Sequence, residues 1–86
     1  MGRLIFSDQA WEDYLWWQRE DRAILKRINR LIEAARRDPF GGIGKPEALR
    51  FNLAGAWSRR IADEHRMVYV SHDDDVAIAA LRYHYE

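Results

Sequence analysis

The sequence predicts an α+β fold, a helical hairpin lying on one face of a curved antiparallel sheet, with elements in the order β-α-α-β-β-β-β. Three observations carry that prediction. Ile24, Leu25, Ile28, Leu31, Ile32 and Ala35 recur at helical spacing and form one apolar stripe. Beyond Pro39 the helical period gives way to short apolar runs divided by turn residues, and strands joined by such short links pair antiparallel. The chain has 86 residues, enough for one domain spanning 1–86 and too few for two.

Arg3 to Phe6 reads as a short first strand. Ser7 is a good N-cap, and Asp8 and Glu12 lie in the first helical turn, where the dipole favours negative charge. Trp11, Tyr14, Leu15 and Gln18 follow at helical spacing, so the first helix runs from Ser7 to about Arg19. Glu20-Asp21 interrupts the pattern, and Asp21 caps the second helix, which carries the apolar stripe and stops at Pro39. Phe40 to Glu47 is a loop marked by Gly41, Gly42, Gly44 and Pro46. Leu49 to Leu53 is the next expected strand, with Gly55 at the turn after it. Trp57–Ala62 and His65–Ser71 form a hairpin around Asp63-Glu64, His72–Asp75 is a second acidic turn, and Val76 to Tyr85 is the last strand. No internal repeat, low-complexity tract or linker is present.

Composition excludes several classes. There is no cysteine, hence no disulfide framework and no thiolate metal site, which suits a reducing cytoplasm. No apolar run approaches the roughly 20 residues that span a bilayer. Met1 to Asp8 turns polar too soon for a signal peptide, and Phe6 stands where a myristoylation signal has Ser or Thr. The formal charge is zero, which counts against holding nucleic acid by bulk electrostatics. Yet only Lys26 and Lys45 are lysines; the other cations are arginines, whose planar fork grips phosphate in a bidentate way. Placement of the arginines therefore says more than net charge.

Three polar residues stand among apolar neighbours. Arg66 opens the strand Met67-Val68-Tyr69-Val70, and period-two alternation puts it on one face with Val68 and Val70. His84 falls near the end of the last strand, on the face shared by Ile78, Ala80 and Arg82. Glu47 follows the Gly-rich loop, where a rigid scaffold commonly presents functional groups. A base, an acid and a cation are what metal-free RNA cleavage needs. The base takes the proton of the ribose 2′-OH, the acid protonates the departing 5′-oxygen, and the cation steadies the phosphorane oxygens. Each acid–base group contributes about 10²–10⁴-fold, and a fixed electrostatic donor about 10²–10³-fold. Glu47 is assigned as base, His84 as acid and Arg66 as phosphate clamp. Imidazole serves as acid because its ordinary pKa of about 6.5 lies near working pH.

Each of these residues also has an ordinary reading: a structural strand-end histidine, a solvated loop glutamate, an arginine paired with Glu64. Spacing alone does not choose between the two sets. Other motifs carry less. His72-Asp73-Asp74-Asp75 lacks the EF-hand spacing and reads as a hairpin turn. The three histidines offer no i, i+4 pair for zinc. Gly41 to Lys45 lacks the P-loop spacing, with Pro46 in place of its Ser or Thr. Trp16-Trp17 reads as core, with a share in a partner surface as the alternative, and Arg36-Arg37 as a partner of the helix dipole.

Gly44-Lys45-Pro46-Glu47, Trp57-Ser58-Arg59-Arg60-Ile61, Glu64-His65-Arg66 and Arg82-Tyr83-His84-Tyr85, together with Trp11-Glu12-Asp13-Tyr14-Leu15-Trp16-Trp17-Gln18, resemble the YoeB (Txe) toxins of the RelE superfamily, over essentially the whole chain. The resemblance implies a RelE-like fold, akin to the microbial ribonucleases, and a type II toxin–antitoxin toxin. It further implies an mRNA interferase that cuts messenger RNA in the ribosomal A site and so inhibits translation. Glu47, Arg66 and His84 fall on the family's acid–base set. Tyr85 matches a tyrosine that organises the site, while Arg50, Arg60 and Lys45 match basic positions facing RNA or the ribosome. No cofactor or metal is implied. The implied partners are the 70S ribosome, mRNA, a second copy in a homodimer and a YefM/Phd-type antitoxin, through which alone operator DNA is met. Because the ribosome supplies docking surface, zero net charge is no obstacle.

One departure from the family pattern is Glu86, which follows the usual final tyrosine. It sets a carboxylate near His84, favouring the imidazolium and repelling RNA, so a modest loss of activity is expected. Two alternatives share the fold class: a ParE-like gyrase inhibitor that works by binding, and an inactive co-repressor acting with its antitoxin.

Overall fold

A computed structural model of the chain describes residues 2–83. Its elements are β1 (Leu4–Phe6), α1 (Asp8–Glu20), α2 (Arg22–Arg37), β2 (Glu47–Ala48), β3 (Trp57–Ala62), β4 (His65–His72) and β5 (Asp75–Ala80). They build one five-stranded sheet, ordered β1-β5-β4-β3-β2, with the helices on one face. The α+β class and element order are as expected. The sheet is mixed rather than wholly antiparallel: β2–β3, β3–β4 and β4–β5 run antiparallel, but β1 pairs parallel with β5. The hairpin rule governs strands with short links, and β1 has none: the helical hairpin carries the chain to β2 at the far edge, and only β5 comes back beside β1.

Local chemistry sets the helix limits. Ser7 Oγ accepts from the Ala10 amide at 3.0 Å. The Asp21 carboxylate accepts from the amides of Ala23 and Ile24 at 3.1 and 3.2 Å, starting α2 one residue after α1 ends. Asp38 closes α2, and Pro39, lacking an N–H, follows. The α2 stripe packs as its spacing predicts: Ile28, Leu31, Ile32 and Ala35 are buried against Ile61, Met67, Tyr69, Val76 and Ile78. Each large aliphatic side chain so buried contributes about 1.5–3 kcal/mol. In α1 the inward residues are Ala10, Asp13 and Trp17 rather than the predicted stripe. Trp11 is half exposed, stacking on Tyr14 at 5.9 Å and meeting Phe6 edge-on, so the aromatic stripe leans toward β1.

Two expected strands are corrected. Leu49 to Leu53 is no strand: β2 covers only Glu47–Ala48, and Phe51–Leu53 curl into a 3₁₀ turn. The segment lies at the sheet edge with no outer neighbour, and local bonds such as Ala54 N to Phe51 O, 3.0 Å, replace a ladder. The last strand ends at Ala80, not Tyr85. A bulge in β5 pairs Val68 with Ala80 but Tyr69 with Ile78. It sends Ile78 into the helical core and Ala80 to a small cluster with Leu49, Ala56 and Val68 on the opposite face. The predicted common face for Ile78 and Ala80 is thereby broken.

Candidate active site

The loop before β2 is held by a buried cation. Arg59, fully buried on β3, points to the helical side of the sheet. Its guanidinium donates to the carbonyls of Asp38 (2.6 Å), Gly41 (2.7 Å) and Ile43 (2.8 Å), and to the Tyr69 hydroxyl (3.0 Å). Tyr69 in turn donates to the Pro39 carbonyl at 2.6 Å. Burial pushes the Tyr69 phenol above its usual range, against the opposing pull of Arg59. Gly44 completes the turn at φ +87°; a Cβ there would meet Leu31 at 2.6 Å. A Gly-rich stretch thus becomes a fixed arm ending at Glu47.

On the other face of the sheet a cavity of about 350 Å³ opens among Glu47, Ser58, Arg60, Asp63, Glu64 and Arg66, floored by Leu49 and Val68. Register explains the set. Glu47 pairs with Ser58 and Ser58 with Val68, while Arg60 stands directly opposite Arg66. Arg66 Nη2 meets Glu47 Oε1 at 2.8 Å, and Arg66 Nε donates to the hydroxyl of buried Ser58 at 2.9 Å. Its ion-pair partner is therefore Glu47, not Glu64. Two arginines directly opposed across a ladder repel one another. The pair faces the cavity with forks able to grip an anion, and the Glu47 carboxylate beside it is exposed. A carboxylate and a guanidinium are in contact at one site.

The segment after β5 is tied beside this cavity. Leu81 N donates to the buried Asp13 carboxylate at 2.9 Å, and Trp17 Nε1 donates to the Leu81 carbonyl at 2.9 Å. Both backbone groups that would have continued the ladder are taken by α1, which is why β5 stops. Tyr83 N then donates to His65 Nδ1 at 2.9 Å, and the Tyr83 carbonyl accepts from Arg66 N at 2.8 Å. Arg82 stacks its guanidinium over Trp16 at 3.8 Å.

Of the residues singled out in the sequence, Glu47, Arg60 and Arg66 line the cavity together. Lys45 and Arg50 are exposed on the flanking loops and do not line it. His84 and Tyr85 lie outside the described residues, as does Glu86. Sequence reading missed Ser58, Asp13 and His65. Ser58 sits inside the Trp57-Ser58-Arg59-Arg60-Ile61 motif, and its alternation with Arg60 was the available signal. The acidic turn at Asp73 is a hairpin turn, with Asp75 bonded to Arg3 N at 2.7 Å and to its guanidinium at 2.9 Å. Among the described residues no group of three acidic, His or Cys side chains converges on one point, and no helix is long and apolar enough to cross a membrane. A larger recess of about 610 Å³ beside α2, near Ala34 and Ile43, has mostly apolar walls and none of the predicted residues.

A family model, "YoeB-like toxin of bacterial type II toxin-antitoxin system", matches residues 6–85. Toxin YoeB of Escherichia coli K12 is 58% identical over 83 residues, covering 96% of this chain and 99% of that one. Toxin YoeB of Streptomyces coelicolor is 54% identical, with coverage of 96% and 99%. Among solved structures, a YoeB/ParE toxin from Agrobacterium tumefaciens superimposes with a TM-score of 0.93 at 44% identity, covering 98% of this chain and 100% of that one. YoeB in a heterotetrameric complex with YefM from Staphylococcus aureus gives 0.89 at 47% identity, covering 95% of each. YafQ from E. coli, at 17% identity and a TM-score of 0.71 over 93% and 90% of the chains, shares the fold.

Proposed function

The chain belongs to the YoeB-like toxins of bacterial type II toxin–antitoxin systems, and from that we propose that it is a ribosome-dependent endoribonuclease that cuts mRNA by general acid–base catalysis. The observation that carries the reading is the Glu47–Arg66 contact of 2.8 Å in a cavity that Arg60 faces from the neighbouring strand. Glu47 takes the 2′-OH proton, and O2′ attacks the adjacent phosphorus. Arg66, joined by Arg60, holds the phosphoryl oxygens as charge builds. The P–O5′ bond breaks, His84 protonates the leaving oxygen, and a 2′,3′-cyclic phosphate and a 5′-hydroxyl result. Tyr85 organises the site, and Lys45 and Arg50, exposed beside the cavity, meet RNA or ribosome. Before substrate binds, Arg66 neutralises Glu47; an incoming phosphate competes for the fork and leaves the carboxylate to act as base.

The partners follow from the family. A homodimer and a YefM-type antitoxin are proposed, since S. aureus YoeB is known both as a dimer and in complex with YefM. The action is placed in the cytoplasm, where ribosomes and mRNA are found.

The test is mRNA cleavage in a reconstituted translation reaction, comparing the parent with Glu47→Ala and His84→Ala. Cleavage of A-site mRNA by the parent, with both variants down by about 10²–10⁴-fold, is the expected result. A parent that blocks growth while mRNA stays whole would end this reading and leave a toxin that acts by binding.

A further inference from the structure

Two of the three residues before His84, Leu81 and Tyr83, are held by groups from two other elements, in a pattern that local folding does not require. Leu81 is gripped at both backbone groups by α1, through Asp13 and Trp17, at 2.9 Å each. Tyr83 is gripped at both by the start of β4, through His65 Nδ1 (2.9 Å) and Arg66 N (2.8 Å). Tyr83 adopts φ +60°, a left-handed backbone that an aromatic residue seldom takes without being forced. His65 is itself wedged edge-on against buried Trp17 at 4.9 Å and lies against Tyr83 at 5.2 Å. Among the described residues the buried Asp13 carboxylate has no cation as partner, only the Leu81 amide and Gln9 Nε2 at 2.8 Å. Burying a charge in this way is costly unless its bonds are made. An apolar residue at position 13 would have served α1 packing alone.

We infer that Asp13 and His65 are positioning residues that fix the chain leading to His84, and so aim the general acid at the leaving 5′-oxygen. The inference rests on the nuclease reading above. Neither residue touches the reacting atoms. His65 links the clamp to the phosphate grip directly, because its sequence neighbour Arg66 contributes the backbone N–H to Tyr83 and the guanidinium to the cavity. The Tyr83 tether and the Arg66 guanidinium are therefore set from one point on β4. Misplacing a reacting group by about 1 Å is enough to cost on the order of 10²-fold.

The experiment uses the full chain with programmed ribosomes and two mRNAs, one natural and one carrying a single 5′-bridging phosphorothiolate at the A-site cleavage position. In the second, P–S bond breaking expels a thiolate that needs no proton, so loss of the acid is rescued. The variants are Asp13→Leu, His65→Leu, and the acceptor-keeping Asp13→Asn and His65→Asn. Both Leu variants should lose on the order of 10²-fold in kcat on natural mRNA, with KM within about threefold, and recover to near the parent on the phosphorothiolate. Asp13→Asn and His65→Asn should retain most activity on both. Equal losses on the two substrates would mean a merely structural role and overturn the proposal, as would an undiminished kcat in His65→Leu, which perturbs the less buried of the two sites. His84→Ala serves as calibration: if it is not rescued by the thiolate, the acid role itself fails. If the parent cuts neither mRNA, the nuclease reading falls and takes the proposal with it.

Discussion

Arg59 and Arg66 occupy adjacent strands of one sheet, on opposite faces, and the same side chain does two unlike jobs. Arg59 faces the helices, is fully buried, and is surrounded by backbone carbonyls with no carboxylate among its hydrogen-bond partners. Its donors are matched internally, so it is a structural cross-link that shapes the loop before β2. Arg66 faces the open side, with its side chain 23% exposed, and touches one carboxylate and one hydroxyl. A fork of five donors with two such contacts has capacity left for an incoming anion. Burial and partner type, not residue type, separate scaffold from site. The open face sets Arg60 and Arg66 beside Glu47, Asp63 and Glu64, so a chain of zero formal charge still brings two guanidinium groups into one cavity.

The sharpest way to break this comparison is to remove the two cavity groups. Arg66→Ala and Glu47→Ala should each lower cleavage by at least about 10²-fold, with melting temperatures near the parent's, as scanning calorimetry beside the translation assay would show. Arg59→Leu should do the reverse. It strands the carbonyls of Asp38, Gly41 and Ile43 and costs roughly 3–5 kcal/mol of stability, a large part of a small domain's total, read by denaturant unfolding. If Arg59→Leu folds normally and only cleavage suffers, the division of labour is wrong.

A smaller effect should follow from Ser58→Ala, which removes the partner of Arg66 Nε. Stability should change by about 1 kcal/mol, and cleavage should fall by up to about tenfold without loss of binding to ribosomes. The smallest is a pH effect away from both arginines. The Asp75 carboxyl is held below its usual range, first by the Arg3 backbone N–H and then by its guanidinium. A lowered carboxyl contributes stability that is present above its unfolded pKa of about 3.9 and is lost as pH falls through the lower folded value. Asp75→Asn should therefore flatten the acid limb of a melting-temperature profile below about pH 4 and leave neutral pH nearly unchanged. Asp75 is half-buried and its partner Arg3 is exposed, and an acid limb that survives the substitution intact would assign it to other carboxylates.

The parts of the fold that were legible in the sequence are those with local causes. Ser7 and Asp21 announce helix starts because their side chains bond amides two or three residues on. Asp63-Glu64 and Asp73-Asp74 announce hairpins, with Asp63 and Asp73 at φ +43° and +54°. The stripe on α2 is spacing alone. The errors have distant causes. Leu49 to Leu53 alternates like a strand but lies at an edge where nothing pairs with its outer side. β5 ends early because Asp13 and Trp17, more than sixty positions away, capture Leu81. The site divides in the same way. Glu47, Arg60 and Arg66 were marked by loop context, strand alternation and family resemblance, and the cavity unites them. Ser58, Asp13 and His65 were silent because each matters only through a partner that folding brings to it.

The parallel pairing of β1 with β5 has a consequence for synthesis. Leu4 aligns with Val76, so the first strand finds its neighbour only after almost the whole chain exists. Closing a loop of 72 residues costs on the order of 4 kcal/mol of chain entropy, and such remote contacts slow folding. A ribosome that has translated as far as Ser71 holds a chain whose sheet lacks β5, the strand that separates β1 from β4. Such a nascent chain has neither a finished core nor a completed Leu81–Tyr83 clamp. The fold is thus completed only when the last segment of the chain has left the ribosome that makes it.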